Sequence, residues 1–193
     1  KKYFFIYIFL LFSISITTYI HKSNYWVGDA FFNKIITNKT FEQLNEVETL
    51  LYYIKQLEEG IKKKPNDYDK IKKLAETKYL LGDFSESYRL FHLARKITPN
   101  DLGVIIGEAN SKLFLEKGDP SKATIKLFEK ILKKDESNLL ALLILGDYLV
   151  KENNLLNAKN LYLRLLKLLV KDSKEYIEIK NKISSIEEKI NDK

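Results

Sequence analysis

The sequence predicts an all-α protein: a helical solenoid of about three helix pairs plus capping helices, following one N-terminal transmembrane helix. Three observations carry this expectation. Residues Tyr3–Ile20 contain no charge. From Thr40 onward, apolar residues recur at three- and four-residue intervals between turns of Gly, Asn and Pro. Finally, an arrangement of small, aromatic and proline residues, clearest in Leu74–Asp101, "LAETKYLLGDFSESYRLFHLARKITPND", returns along the chain at a near-constant step.

The first element, "YFFIYIFLLFSISITTYI", is near the lower length limit for a spanning helix. Lys1 and Lys2 precede it. Tyr19, Tyr25 and Trp26 gather at its far end, where amphipathic rings favour the headgroup layer. Its apolar residues run all round, unlike those of a core helix with one buried face. A cleaved signal peptide is the rival reading, but "TTYIHKSNYW" is bulky where a peptidase needs small residues. The expectation is a retained anchor over 1–21, with its basic end in the cytoplasm and the remainder outside. His21 stands just past the span and reads as an interfacial side chain. The chain contains no methionine, even at position 1, so its true start is expected upstream. Residues 22–39 mix polar and aromatic residues without a period and read as a linker.

The domain at 40–193 begins with a capping-box pattern, Thr40 followed by Gln43. A stripe of Leu44, Val47, Leu50, Leu51, Ile54, Leu57 and Ile61 follows, and Pro65 ends it. The next stretch fits the tetratricopeptide pattern, a helix pair of about 34 residues. Tyr68 is then the first position. Ile71 and Leu74 take the large apolar positions, Ala75, Ser87 and Ala94 the small ones, Gly82 the turn, Phe91 the aromatic and Pro99 the terminating proline. The physical logic is that small residues let two helices approach, bulky ones fill the rest, and proline stops the second helix. Lys78 departs from the pattern, which favours tyrosine there.

A second good unit starts at Leu139. Leu142 and Leu145 are its large residues, Gly146 and Ala158 its small ones, and Tyr162 its aromatic. Asn153 and Asn154 form its turn, because asparagine tolerates a left-handed backbone. The unit between them, from Leu102, is looser. Ile105 and Ala109 match, but the turn "EKGDPSKAT" is two or three residues too long, and Thr124 and Ile131 stand where small residues are usual. The units are therefore about 68–101, 102–138 and 139–172. A C-terminal capping helix over 173–191 starts at Ser173 and carries Tyr176, Ile179, Ile183, Ile186 and Ile190 on one face. A coiled-coil partner helix is the sharper alternative for that segment.

Composition excludes several chemistries. There is no cysteine, hence no disulfide, thiol nucleophile or cysteine metal site. The net charge is +7, but nearly all of it is lysine interleaved with acids along helices, the pattern of a solvated face, so no nucleic-acid role is expected. The two histidines, His21 and His92, are far apart, and His92 reads as a packing or surface residue. No nucleophile–base set and no phosphate-binding glycine loop occurs. The chain is expected to be no enzyme and to hold no cofactor and no metal. What remains is a surface. The first helices of stacked pairs line a concave side, which gives as peptide-groove candidates Lys72, Glu76 and Tyr79, then Ile106, Asn110, Leu113 and Phe114, then Leu143, Asp147 and Val150. The competing reading is that several of these merely pack between units.

The order of parts resembles a known family. A span and linker lead to "LEEGIKKKPND", then "GDFSESYRLFHLARKITPND", "GDPSKATIKLFEKILKKDESN" and "LLALLILGDYLVKENNLLNAKNLYLRLLKLLVKDSKEYIEIKNKI". This is similar to the C-terminal periplasmic tetratricopeptide region of the cytochrome c-type biogenesis protein CcmI/CycH. The resemblance implies a bacterial inner-membrane chaperone with its soluble domain in the periplasm. Such a protein holds unfolded apocytochrome c, chiefly by its C-terminal helical segment, and works with the haem-ligation and thiol-reduction components of cytochrome c maturation. The alternative is a generic membrane-anchored tetratricopeptide scaffold for envelope or secretion complex assembly.

Overall fold

The computed structural model describes residues 46–191. The expected anchor over 1–21, the linker over 22–39 and the capping box at Thr40 lie outside the described residues. Within them the structure is all-helical: α1 (Glu46–Lys63), α2 (Tyr68–Leu80), α3 (Phe84–Ile97), α4 (Leu102–Leu115), α5 (Lys122–Lys134), α6 (Leu139–Lys151), α7 (Leu155–Leu168) and α8 (Lys174–Asn191). The boundary between two compact units falls inside α1, after Gln56. The second unit runs from Leu57 onward and holds α2 to α8. No helix of the described residues is long and apolar enough to cross a membrane.

Short polar residues set the helix starts. Side-chain oxygens of Asp67, Asp83, Asp101, Ser121 and Asn138 each accept a backbone N–H three residues on, as does Ser173 Oγ from Tyr176 N at 3.1 Å. These contacts satisfy donors that the first helical turn leaves free. The turns are equally local. Gly82 (φ 76°) ends the first pair's leading helix, and Asn153 (φ 58°) does the same job in the last pair. The middle turn is longer because two consecutive residues, Lys117 and Gly118, take left-handed conformations before Pro120 and the Ser121 cap.

From α2 onward each helix packs on the next, and α2 also reaches α4. Close approach rests on small residues. Ala75, Ala94, Ala109, Ala141 and Ala158 are fully buried. Gly107 lies under the Phe91 ring and Gly146 under Tyr162, where a Cβ would come within 2.3 and 2.5 Å of the ring carbons. Ser87, also fully buried, donates to Ala75 O at 2.9 Å and lies 2.9 Å from Ser111 Oγ, linking α2, α3 and α4. Ile105, Ile125, Phe128, Ile131 and Leu145 form one apolar cluster. Leu142, Tyr162, Leu165, Ile179, Ile183 and Ile186 form another, so α8 is held by its isoleucine stripe. One position breaks the apolar rule. Glu108 occupies a large-residue position of the middle unit and is only 2% exposed. It is held by Arg95 Nε and Nη2 (the latter at 3.1 Å) and by His92 Nδ1 at 2.8 Å. A buried carboxylate persists only when charge and hydrogen bonds compensate it, and both are present here.

Candidate binding groove

The leading helices α2, α4 and α6 carry all ten residues that the sequence nominates. On α2, Lys72 is half-buried. Its Nζ lies 3.1 Å from Asp101 Oδ2 and 6.0 Å from the Tyr68 ring centre, so it ties α2 to the start of α4. Tyr68 Oη donates to the same Asp101 oxygen at 2.6 Å. The Tyr68 hydrogen bond, the Val104 amide and Lys72 together hold the Asp101 carboxyl down at about 2, against burial. Glu76, one turn further, is exposed. Tyr79 sits edge-on to Phe84 (5.3 Å) and Phe114 (5.9 Å), and Phe84 and Phe114 stack at 4.2 Å with planes 5° apart. Burial pushes the Tyr79 hydroxyl above its usual value. The structure therefore joins Tyr79 and Phe114 through Phe84, with half of Phe114 left open to solvent.

On α4, Ile106 and Leu113 are half-buried and rest on the central apolar cluster. Asn110 lies on the same helix, and its Oδ1 is a buried atom without a hydrogen-bond partner. On α6, Leu143 and Val150 are half-buried and lean on the second cluster. Asp147 accepts from Tyr162 Oη at 2.5 Å and from Lys182 Nζ at 2.6 Å. Burial, then the Asp147 contact, raises the Tyr162 pKa far above the phenol range, so the hydroxyl stays a donor.

Asp147 and Val150 open onto a cavity of about 910 Å³. Its walls are α6, α8 and the long turn at Gly118–Lys122. Ile144, Tyr148, Val150, Pro120 and Ile186 supply apolar surface. Charged residues of both signs line it as well, including the pairs Lys151–Asp119 (2.5 Å) and Lys182–Asp147 (2.6 Å). The α8 wall is absent from the ten nominated residues. A signal for it exists in the sequence: extending the 34-residue step from Leu139 places Asn181 in the register of Glu76, Asn110 and Asp147. Phe84, which opens a second helix of a pair, had no such signal.

Among the described residues, no group of three or more His, Asp or Glu side chains could hold a metal ion. The arrangement suits recognition: a cleft lined by apolar side chains, an aromatic ring at Tyr148 and charges of both signs. Stacked helical hairpins with small residues at their crossings define a tetratricopeptide-like repeat protein. Comparison agrees with that class. No protein-family model and no curated protein matches the chain. A solved structure described as "Functional Characterization of Pseudomonas Aeruginosa pilF", itself tetratricopeptide-containing, is similar with a TM-score of 0.54 and 16% identity. The match covers 73% of this chain and 67% of that one. At this identity the likeness concerns the fold.

Proposed function

We propose that this chain is a protein-interaction scaffold that holds a polypeptide segment of its partner, and that the partner is an unfolded c-type apocytochrome. The observation carrying the first part is the cavity between α6, α8 and the Gly118–Lys122 turn. Its volume, about 910 Å³, is at the upper end of the ~300–1,000 Å³ typical of ligand clefts. A cleft lined by both apolar side chains and charges of both signs suits an amphipathic helix, whose apolar face would meet the former and its polar flanks the latter. The second part is supported by the order of parts from "LEEGIKKKPND" to "LLVKDSKEY" and their resemblance to the CcmI/CycH region. On this reading residues 1–21 anchor the chain in the bacterial inner membrane. The helical domain then works in the periplasm, and the C-terminal helical segment of the apoprotein is held until haem is ligated.

The test is binding of the full chain, in detergent or nanodiscs, to fluorescent C-terminal peptides of several c-type apocytochromes. Saturable binding that is lost on substitution of Val150 by Asp, with the helical circular dichroism unchanged, supports the reading. No binding to any of them by the folded protein removes the apocytochrome assignment. Co-purification with an envelope or secretion complex would then favour a general assembly scaffold.

A further inference from the structure

Helix α5, the second of its pair, carries a feature that the groove uses only at Lys122. Helix α5 turns Thr124, Ile125, Leu127, Phe128 and Ile131 inward. Its solvent side bears Lys122, Lys126, Lys130, Lys133 and Lys134, all exposed, with Glu129 as the only acid. At 100° per residue, Lys122, Lys126, Lys130 and Lys133 fall within roughly 80° of one another. Three lysine pairs, 122/126, 126/130 and 130/134, stand four residues apart, a like-charge spacing that destabilises a helix.

Lysines without an ion pair also occur elsewhere, among them Lys73, Lys96 and Lys180, but among the described residues no other helix carries five of them. On the leading helices, Lys72, Lys112, Lys151 and Lys182 each meet a carboxylate, at 3.1, 3.9, 2.5 and 2.6 Å. None of the five α5 lysines makes an ion pair. Beside them, a groove of about 540 Å³ between α3 and α5 is lined by Lys126, Lys130, Lys133 and Arg95 against one acid, Glu129. The face is therefore predominantly basic, five lysines to one acid, and extends along the helix.

We propose that the α5 lysine face docks the domain onto the anionic headgroups of a lipid bilayer. Charge complementarity calls for a negative surface, because clustered lysines near such a surface gain about one order of electrostatic attraction for every one to two residues. The chain itself indicates which surface. The uncharged run Tyr3–Ile20 reads as a membrane anchor. The 21–45 segment lies between it and α1 and can span at most roughly 90 Å, so a bilayer is within reach at all times. Such docking would present the groove to partners at the membrane, whatever the groove holds.

The chain has no cysteine, so one introduced cysteine gives a unique label. The full chain with Ala123→Cys on α5, or Ser184→Cys on α8 as the control, is labelled with a fluorophore. Each is mixed with vesicles of phosphatidylcholine alone or with added phosphatidylglycerol, carrying a headgroup quencher. The α5 probe is expected to be quenched on anionic vesicles, and the α8 probe much less. Lys126→Gln with Lys130→Gln should lower the docked-to-free ratio roughly thirty-fold, about five-fold per lysine. Glu129→Lys should raise it, and ~1 M salt, with a Debye length near 3 Å, should abolish it. Equal quenching of both probes, or quenching indifferent to the lysine substitutions, would overturn the proposal. So would retention of a nucleic acid in a gel shift that depends on Lys126 and Lys130 without lipid quenching.

Discussion

Arg95 and Glu108 should respond very differently to removal, although they form one ion pair. Glu108 is 2% exposed, whereas Arg95 is 26% exposed and His92 39%. In Arg95→Ala the carboxylate stays where it is, sealed between α3 and α4, with His92 as its one remaining side-chain partner. Breaking a buried pair in this way costs about 3–5 kcal/mol, because the survivor is an uncompensated charge. The surviving histidine contact puts this case near the low end, about 3 kcal/mol. In Glu108→Leu the survivors are Arg95 and His92, both already at the surface, and each can turn to water. The new leucine also restores the large apolar residue that the repeat pattern places there. That variant should fall within about 1 kcal/mol of the parent. Urea unfolding followed by circular dichroism at neutral pH measures both, provided the m-value is unchanged. For a domain of this size the arginine variant should lose on the order of 10 °C in Tm. A Glu108→Leu protein as unstable as Arg95→Ala would refute the reasoning, since it would mean the pair itself, not the stranded charge, is what the fold requires.

Gly146→Val should destabilise by about 2–3 kcal/mol in thermal melts, because even its Cβ would lie 2.5 Å from a Tyr162 ring carbon and the ring is fully buried, an overpacking that α6 and α7 relieve only by separating. Acid should remove part of the stability through Asp101. Its folded pKa, about 2, lies below the unfolded carboxylate value, so its contribution is present above the unfolded value and is lost as pH falls through the interval down to about 2. With a quarter of the side chain exposed that contribution is about 1–2 kcal/mol after solvent screening. Asp101→Asn should flatten that limb of the pH–stability curve. On the groove side, Lys182→Glu should cost under about 1 kcal/mol of stability, since the pair is only partly shielded, yet weaken peptide binding measured by anisotropy by roughly ten-fold or more through repulsion with Asp147. Unchanged affinity would remove α8 from the binding surface.

The repeat was legible because its signals are volumes and turns. Ala75, Ala94 and Ala158 must be small whatever the partner of the fold, because two helix backbones meet there. Gly82 and Asn153 must tolerate positive φ for the same local reason. Even the overlong middle turn was readable as an insertion, though not its cause, the paired left-handed conformations of Lys117 and Gly118. The polar core was illegible for the opposite reason. Glu108 meets Arg95 and His92 across two helices, and no spacing rule links residues 13 and 16 apart in different elements. The Phe84–Phe114 stack is of the same kind, a contact made by packing and announced by neither helix alone.

Helix α8 shows why a terminal element is easily misjudged from its pattern. Its isoleucine stripe, Ile179, Ile183 and Ile186, buries against Tyr162 and Leu165, which is all that a cap needs. But the stripe occupies one sector, and the sector beside it carries Glu178, Asn181, Lys182 and Lys189 into the wall of the cavity. The Lys182–Asp147 pair then spans from α8 to α6, and Tyr162, whose ring fills the core, donates its hydroxyl to the same carboxylate oxygen. Core and groove are thus joined at one atom, Asp147 Oδ1. An account in which α8 only shields the last repeat from water explains the isoleucines but leaves this polar face without a purpose. One in which α8 stands as the leading helix of a further half-repeat explains both, because leading helices face the groove along their whole length.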